Sequence, residues 1–295
     1  MSAQGRGRVW NRREVLAAGC AAAGSLGFGG VAPALGSISI AADGDYTPFK
    51  MGLQSYSLRG LTEPSGRADR AKALAASKKL GVHYWEAYPA HVPMDLGPAA
   101  LEAIKQEVQD AGVAIVAYGV VPFGKDADAN RRTFEFAKRL GISYLSADPD
   151  PASFDDLDKL VEKYDVAIGI HNHGPGHRYA KIETIASAIK DHHPKIGCCV
   201  DTGHFLRSKI DPVDAVEAFG TRVYGVHLKD VKDATTFTVL GKGDLRTVEL
   251  LKVLARNKYN YCLAIEYEEN ANDPVDDIKA CLAEAARAIA DVRKA

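Results

Sequence analysis

Short β-rich runs alternate with amphipathic stretches from residue 51 onward. Runs rich in Val, Ile and aromatic residues at 51–55, 83–87, 114–120, 143–147, 166–171, 196–201, 223–228 and 262–267 read as strands. Helical spacing of apolar residues follows each, at 67–80, 98–111, 127–140, 154–164, 182–192, 212–219, 247–257 and 274–292. Gly81, Gly112 and Gly141 each follow a helical run, where a left-handed cap is expected. Asp211-Pro212 and Asp273-Pro274 have the form of helix starts, an N-cap followed by proline. Eight strand-then-helix units over about 250 residues predict an α/β fold, a single-domain (β/α)₈ TIM barrel. A doubly wound open sheet is the competitor, but no Gly-rich phosphate fingerprint follows the first strand.

The segment before the first strand has another pattern. Arg6, Arg8, Arg12 and Arg13 precede an Ala/Gly-rich apolar run over 15–31, and Ala32-Pro33-Ala34 offers small residues for a signal peptidase. This predicts an export signal over 1–34, an extension over 35–47 and the barrel over 48–295. Arg12-Arg13 resembles a twin-arginine signal, although Asn11 replaces the usual Ser or Thr. The run is short and holds five glycines, which favours cleavage over an uncleaved anchor, so no stable membrane span is expected after processing. The expected location is periplasmic or exported.

Composition narrows the classes. Apolar residues make up 46% and charged residues 25% of the 295, which excludes a disordered chain and a small disulfide scaffold. The formal charge is −1, and loss of a signal carrying four Arg and one Glu takes it to −4. No basic field exists to hold nucleic acid. Cys198, Cys199, Cys262 and Cys281 read as core residues rather than a disulfide framework.

In such a barrel, chemistry gathers at the C-terminal ends of the strands. Five predicted strand ends carry Glu86, then His171-Asn172-His173, Asp201-Thr202-Gly203-His204, His227-Leu228-Lys229 and Glu266-Tyr267-Glu268. The simplest constellation takes one ligand from each of four consecutive strands, His171, Asp201, His227 and Glu266, with His173 as substitute for His171. Two imidazoles and two carboxylates suit one divalent ion of the Mn²⁺, Co²⁺, Zn²⁺ or Fe²⁺ kind. Blander roles are open for single members. Asp201 would serve as a helix cap, Glu266 as a partner of Lys229, and Glu86 as half of a salt bridge. His91 and His177 fall in loops, while His83, His192 and His193 lie away from the strand ends.

The segments Gly52-Leu53-Gln54-Ser55-Tyr56-Ser57, Glu86-Ala87-Tyr88-Pro89, His171-Asn172-His173-Gly174, Asp201-Thr202-Gly203-His204, His227-Leu228-Lys229-Asp230, Gly241-Lys242-Gly243-Asp244 and Glu266-Tyr267-Glu268 resemble the xylose isomerase-like TIM-barrel proteins, the sugar phosphate isomerases/epimerases. The resemblance covers roughly 48–292. It implies a metal held by Glu, Asp, His and Glu from successive strands. Asp201, His227 and Glu266 match three of these positions, and His204 matches a substrate-binding His. His171 stands where the ketose epimerases have Glu. A metal-bound imidazole has no free lone pair, so the epimerases' two-carboxylate proton relay does not carry over.

Together these residues predict a metal-dependent isomerase or epimerase acting on a sugar or keto-sugar through an enediolate. Glu266, Glu86 and His204 are the catalytic candidates, with Glu268 as a further base and Lys229 as a proton donor or anion holder. His173, His91, Glu268 and Gln54 are the expected substrate contacts. Expulsion of a β-substituent would instead make a keto-glycoside lyase or dehydratase, and a non-catalytic periplasmic sugar binder is the reading from another class. An abasic-site endonuclease would need more histidines on the second and third strands and a basic DNA face. The expected partner is a small carbohydrate; a homo-oligomer is left open.

Overall fold

The computed structural model describes residues 46–294, so the expected export signal lies outside the described residues. The barrel strands are β1 (Lys50–Gln54), β2 (Tyr84–Ala87), β3 (Ala114–Phe123), β4 (Tyr144–Pro149), β5 (Ala167–His171), β6 (Ile196–Asp201), β7 (Val223–Leu228) and β10 (Cys262–Ile265). All eight pair in parallel, each beside its sequence neighbour. Lys50 to Leu53 of β1 pair with Cys262 to Ile265 of β10, which closes the barrel and excludes the open sheet. Between β7 and β10 the chain adds a short antiparallel hairpin, β8 (Asp230–Lys232) and β9 (Thr236–Thr238).

The outer helices are α1 (Arg70–Leu80), α2 (Pro98–Asp110), α3 (Ala127–Leu140), α4 (Phe154–Tyr164), α5 (Ile182–Ile189), α7 (Pro212–Phe219), α8 (Thr247–Arg256) and α9 (Val275–Lys294). A further short helix, α6 (Thr202–Arg207), follows β6 directly. Their ends follow local chemistry. Asp69 and Asp126 cap α1 and α3 by accepting from the amides of Lys72 and Ala129. Gly81 and Gly141 close the same helices in the left-handed region, at φ 69° and 79°. The Asp69 cap is also why α1 starts at Arg70 and not at 67. At the other end of the expected 182–192 run, His193 precedes Pro194, a position that disfavours helical backbone, and α5 stops at Ile189.

The main core lies between barrel and helices, where Trp85, Leu145, Ile168, Val200, Val226 and Leu263 meet helix residues such as Phe134, Leu157, Leu250 and Ile289. These outward strand residues alternate with a smaller inward cluster of Ala117, Tyr144, Ala167, Tyr224, Cys262 and Ala264. Inside, space is tight. A Cβ on Gly225 would come within 2.9 Å of both the Tyr144 ring and Cys199 Sγ, so glycine there makes room for the tyrosine. The four described cysteines are free and buried. No helix among the described residues is long and apolar enough to cross a membrane.

Candidate metal centre and active site

The two-residue step that fills the lower barrel with alanines, a cysteine and two tyrosines brings polar groups to its upper end. His171, Asp201, His227 and Glu266 are all buried there, and one ligand atom from each lies within 4.8 Å of the others. They come from the ends of β5, β6 and β7 and the first residue past β10. His171 Nε2 is 3.1 Å from His227 Nδ1 and 3.4 Å from Asp201 Oδ2. Glu266 Oε2 is 3.1 Å from His227 Nδ1. Asp201 Oδ2 and Glu266 Oε2 are buried without an aligned hydrogen-bond donor. Two such carboxylate oxygens facing two imidazole nitrogens form a donor set that fits a divalent ion of the borderline class.

Asp201 performs two jobs. Its Oδ1 accepts from the His204 amide at 2.7 Å and caps α6, while Oδ2 turns into the four-residue group. The expected cap and the expected ligand are therefore the same side chain. Asn172 locks the neighbouring strand end: its Oδ1 accepts from the Asp201 amide and its Nδ2 donates to the Asp201 carbonyl, at 2.8 and 2.9 Å. This fixes the spacing between the ends of β5 and β6.

Glu86 stands behind His227, away from the expected substrate side. Its Oε1 accepts from His227 Nε2 at 2.9 Å and from Gln54 Nε2 at 2.9 Å, and also from the Ser146 hydroxyl. Its Oε2 accepts from the Tyr144 hydroxyl at 2.9 Å. Glu86 holds the Nε2 proton of His227 and so turns Nδ1 toward the other three residues, the arrangement that orients imidazoles on metals. Burial would raise the Glu86 carboxyl, but His227 and the two hydroxyls hold it below its ordinary value. Cys199 is close to the same pair, and burial pushes its thiol up to about 12.

Lys229 supplies the positive charge of the site. Its Nζ is 2.9 Å from Asp201 Oδ2 and 2.9 Å from Glu266 Oε2, and it donates to Glu268 Oε1. Burial would lower the lysine, but the three carboxylates override it and keep it an ammonium. In return it offsets the burial of Asp201, which stays well below the usual carboxylate range, and brings Glu266 down to about 2 with help from His227. Three carboxylates against one ammonium leave two negative charges, the deficit a divalent ion neutralises.

The mouth is ringed by further imidazoles. The His173 ring lies 4.7 Å from that of His171, 5.7 Å from that of His204 and 4.2 Å from that of His177. Burial lowers His204 to about 4, with Asp201 opposing and Lys229 assisting; burial and the neighbouring imidazoles lower His173 to about 3. Both are neutral near pH 7. Phe237, on β9, approaches His204 at 6.0 Å and Lys229 Nζ at 5.4 Å. The loop after the hairpin is tied down by Asp230, whose carboxylate accepts from the amides of Gly241, Gly243 and Leu245. A Cβ on Gly243 would meet Asp230 Oδ1 at 2.4 Å, which explains the glycine.

The sequence profile of the family described as xylose isomerase-like TIM barrel matches residues 74–288. The chain belongs to this family. An inosose dehydratase from Clostridium tetani is 26% identical over 133 residues, 39% of this chain and 44% of that protein. The chain spans less than half the length of the curated relatives it matches. Among solved structures of similar fold, an uncharacterised protein from Parabacteroides distasonis has a TM-score of 0.62 at 26% identity, covering 80% of this chain and 97% of that one. An L-ribulose 3-epimerase has a TM-score of 0.65 at 16% identity, covering 83% of this chain and 95% of that one. The proteins similar to this chain thus include an epimerase of the same fold and dehydratases matched over part of their length.

Set on this family barrel, the residues singled out in the sequence divide by position. His171, Asp201, His227 and Glu266 come together, and Lys229, Glu268, His204 and His173 surround them. Glu86 and Gln54 instead form the layer behind His227, buried and hydrogen-bonded to each other. His91, expected to touch substrate, is fully buried; its Nδ1 pairs with Ser55 Oγ at 2.9 Å and its ring stacks on Trp85. His83, His192 and His193 make local contacts away from the mouth. Sequence reasoning missed Tyr144, Ser146, Asn172, Asp148 and Phe237. Alternation along β4, where Tyr144, Ser146 and Asp148 are two apart, carried the signal for three of them.

Proposed function

We propose that the protein is a metal-dependent enzyme that removes the proton next to the carbonyl of a sugar or keto-sugar, as an isomerase or epimerase. The observation that carries this reading is the convergence of His171, Asp201, His227 and Glu266 at the mouth of the barrel. A divalent ion held there would polarise a carbonyl and a neighbouring hydroxyl, which stabilises the enediolate form of the substrate. The chain's own groups do the rest. Glu266 is the base: its carboxyl is ionised, and its buried Oε2, without an aligned hydrogen-bond donor, faces the other three residues of the group. Lys229 keeps that carboxylate charged and stays an ammonium, so it steadies negative charge rather than releasing a proton. His204 and Glu268 flank the substrate space, and Phe237 covers one side of it.

A second reading is dehydration. The match to inosose dehydratase favours it. Product analysis separates the readings. Metal-loaded protein is incubated with ketoses, aldoses and 3-keto glycosides, and products are followed by NMR and mass spectrometry. Isomers of unchanged mass support the first reading; loss of water or of an aglycone supports the second. Measurable sugar binding with no product from any of them would overturn both and leave a binding protein.

Export over 1–34 and the boundary at 48 belong to the same proposal. Phosphorylated sugars are scarce outside the cytoplasm, so free or glycosidic sugars are the expected substrates.

A further inference from the structure

A second set of metal-ligating groups lies beside the first. Asp148, His173 and His177 each offer one ligand atom, all within 4.8 Å of one another. Asp148 is the third inward position of β4, after Tyr144 and Ser146. His173 and His177 lie two and six residues beyond His171, in the loop that follows β5. None of the three is committed elsewhere. Asp148 Oδ1 is buried without a hydrogen-bond partner. Among the described residues, the polar partner of its carboxylate is His177 Nε2, 3.5 Å from Oδ2, longer than an ordinary hydrogen bond. Neither ring nitrogen of His173 has a hydrogen-bond partner among the described residues, although its ring packs 4.2 Å from that of His177.

We propose that Asp148, His173 and His177 form a second divalent-cation site, adjacent to the group of His171, Asp201, His227 and Glu266. Metal–nitrogen and metal–oxygen bonds near about 2.1 Å place donor atoms about 3–4 Å apart around one ion, close to the spacing found here. Two imidazoles and one carboxylate suit Zn²⁺, Co²⁺ or Ni²⁺ and leave open positions for water or substrate. The 4.7 Å between the His171 and His173 rings makes the pair of sites one two-metal mouth. This goes beyond the single-ion reading above and does not depend on which reaction the first site performs.

The test is metal stoichiometry. Untagged full chain is stripped with a chelator, reloaded with Zn²⁺, freed of excess by gel filtration and assayed for zinc per chain. The expected result is two ions in the wild type, one in Asp148→Asn and one in His177→Ala. Asp148 is half-buried and His177 exposed, so the variants keep the fold, which thermal unfolding verifies. Asp201→Asn is the control for the first site and retains the second ion. Reloading with Co²⁺ gives an independent readout: the His177→Ala spectrum should lose one component of the wild-type absorption. One ion in the wild type, kept by Asp148→Asn and lost by Asp201→Asn, would overturn this proposal and leave the first site standing. One ion kept by Asp201→Asn and lost by Asp148→Asn would support it and contradict the first.

Discussion

Replacing Glu86 by Gln keeps the shape of the side chain and removes its charge. If the amide nitrogen takes the Oε2 position, the Tyr144 hydroxyl can turn and accept, and the other three donors still find an oxygen. What is lost is the charge behind His227. A hydrogen bond to a charged group contributes about 1.5–3 kcal/mol against about 0.5–1.5 for a neutral one, so stability should fall by about 1 kcal/mol. The larger effect is on the metal. Groups that orient a ligating imidazole are worth about 10–100-fold in affinity, or about 1.4–2.7 kcal/mol. Competition with a chromophoric chelator measures Kd for Zn²⁺, and urea unfolding measures the stability term. Glu86→Ala is the wrong variant, because it strands buried donors at about 1–3 kcal/mol each and confuses the two effects. An unchanged Kd in Glu86→Gln would refute the placing of Glu86 as the group that aims His227, and would return it to the candidates for direct catalysis.

Lys229→Met should destabilise the metal-free protein by about 3–5 kcal/mol, since it leaves buried carboxylates without their partner. Added metal should then raise Tm more than in the wild type; an equal rise in both would contradict the shared-charge argument. Burial, assisted by Arg70, holds His91 down to about 4 from an ordinary 6.5, so the folded chain binds fewer protons than the unfolded one. Stability from its neutral ring is full above pH 6.5 and lost as pH falls from 6.5 toward 4, about 3 kcal/mol in all. His173 and His204 add losses of the same sign, so the check is that His91→Gln flattens the pH dependence of urea unfolding relative to wild type. For export, the mature chain should begin at residue 35 by mass spectrometry, and joint replacement Arg12→Lys and Arg13→Lys should retain the precursor in the cytoplasm.

The barrel was legible because its punctuation is local. Gly81 and Gly141 end helices in the left-handed region, and β-rich runs sit at each expected strand. The four-residue group was legible because strand ends in a barrel share one mouth. Depth along the axis was not. Glu86 also ends a strand, but its contacts with Gln54, Tyr144 and Ser146 hold it behind His227, and those contacts span 32 to 60 residues of sequence. Alternation also stops where a strand stops. β5 ends at His171, so the two-residue rule could not say that His173 would join Asp148 and His177. Asp148 itself lies in Asp148-Pro149-Asp150-Pro151, which reads as a turn and hides an inward strand position. Phe237 reaches the mouth on a hairpin that helix and strand periods do not reveal.

Solvent proton exchange reads the proposed removal of the proton next to the carbonyl directly. Protein loaded with Mn²⁺, Co²⁺ or Zn²⁺ is incubated in D₂O with ketoses, aldoses and 3-keto glycosides, and NMR follows the proton next to the carbonyl. Exchange is expected with at least one of these substrates, lost on chelation and lost in Glu266→Gln with metal still bound. No exchange with any of them, in a protein that holds its metal and binds the sugar, would contradict it.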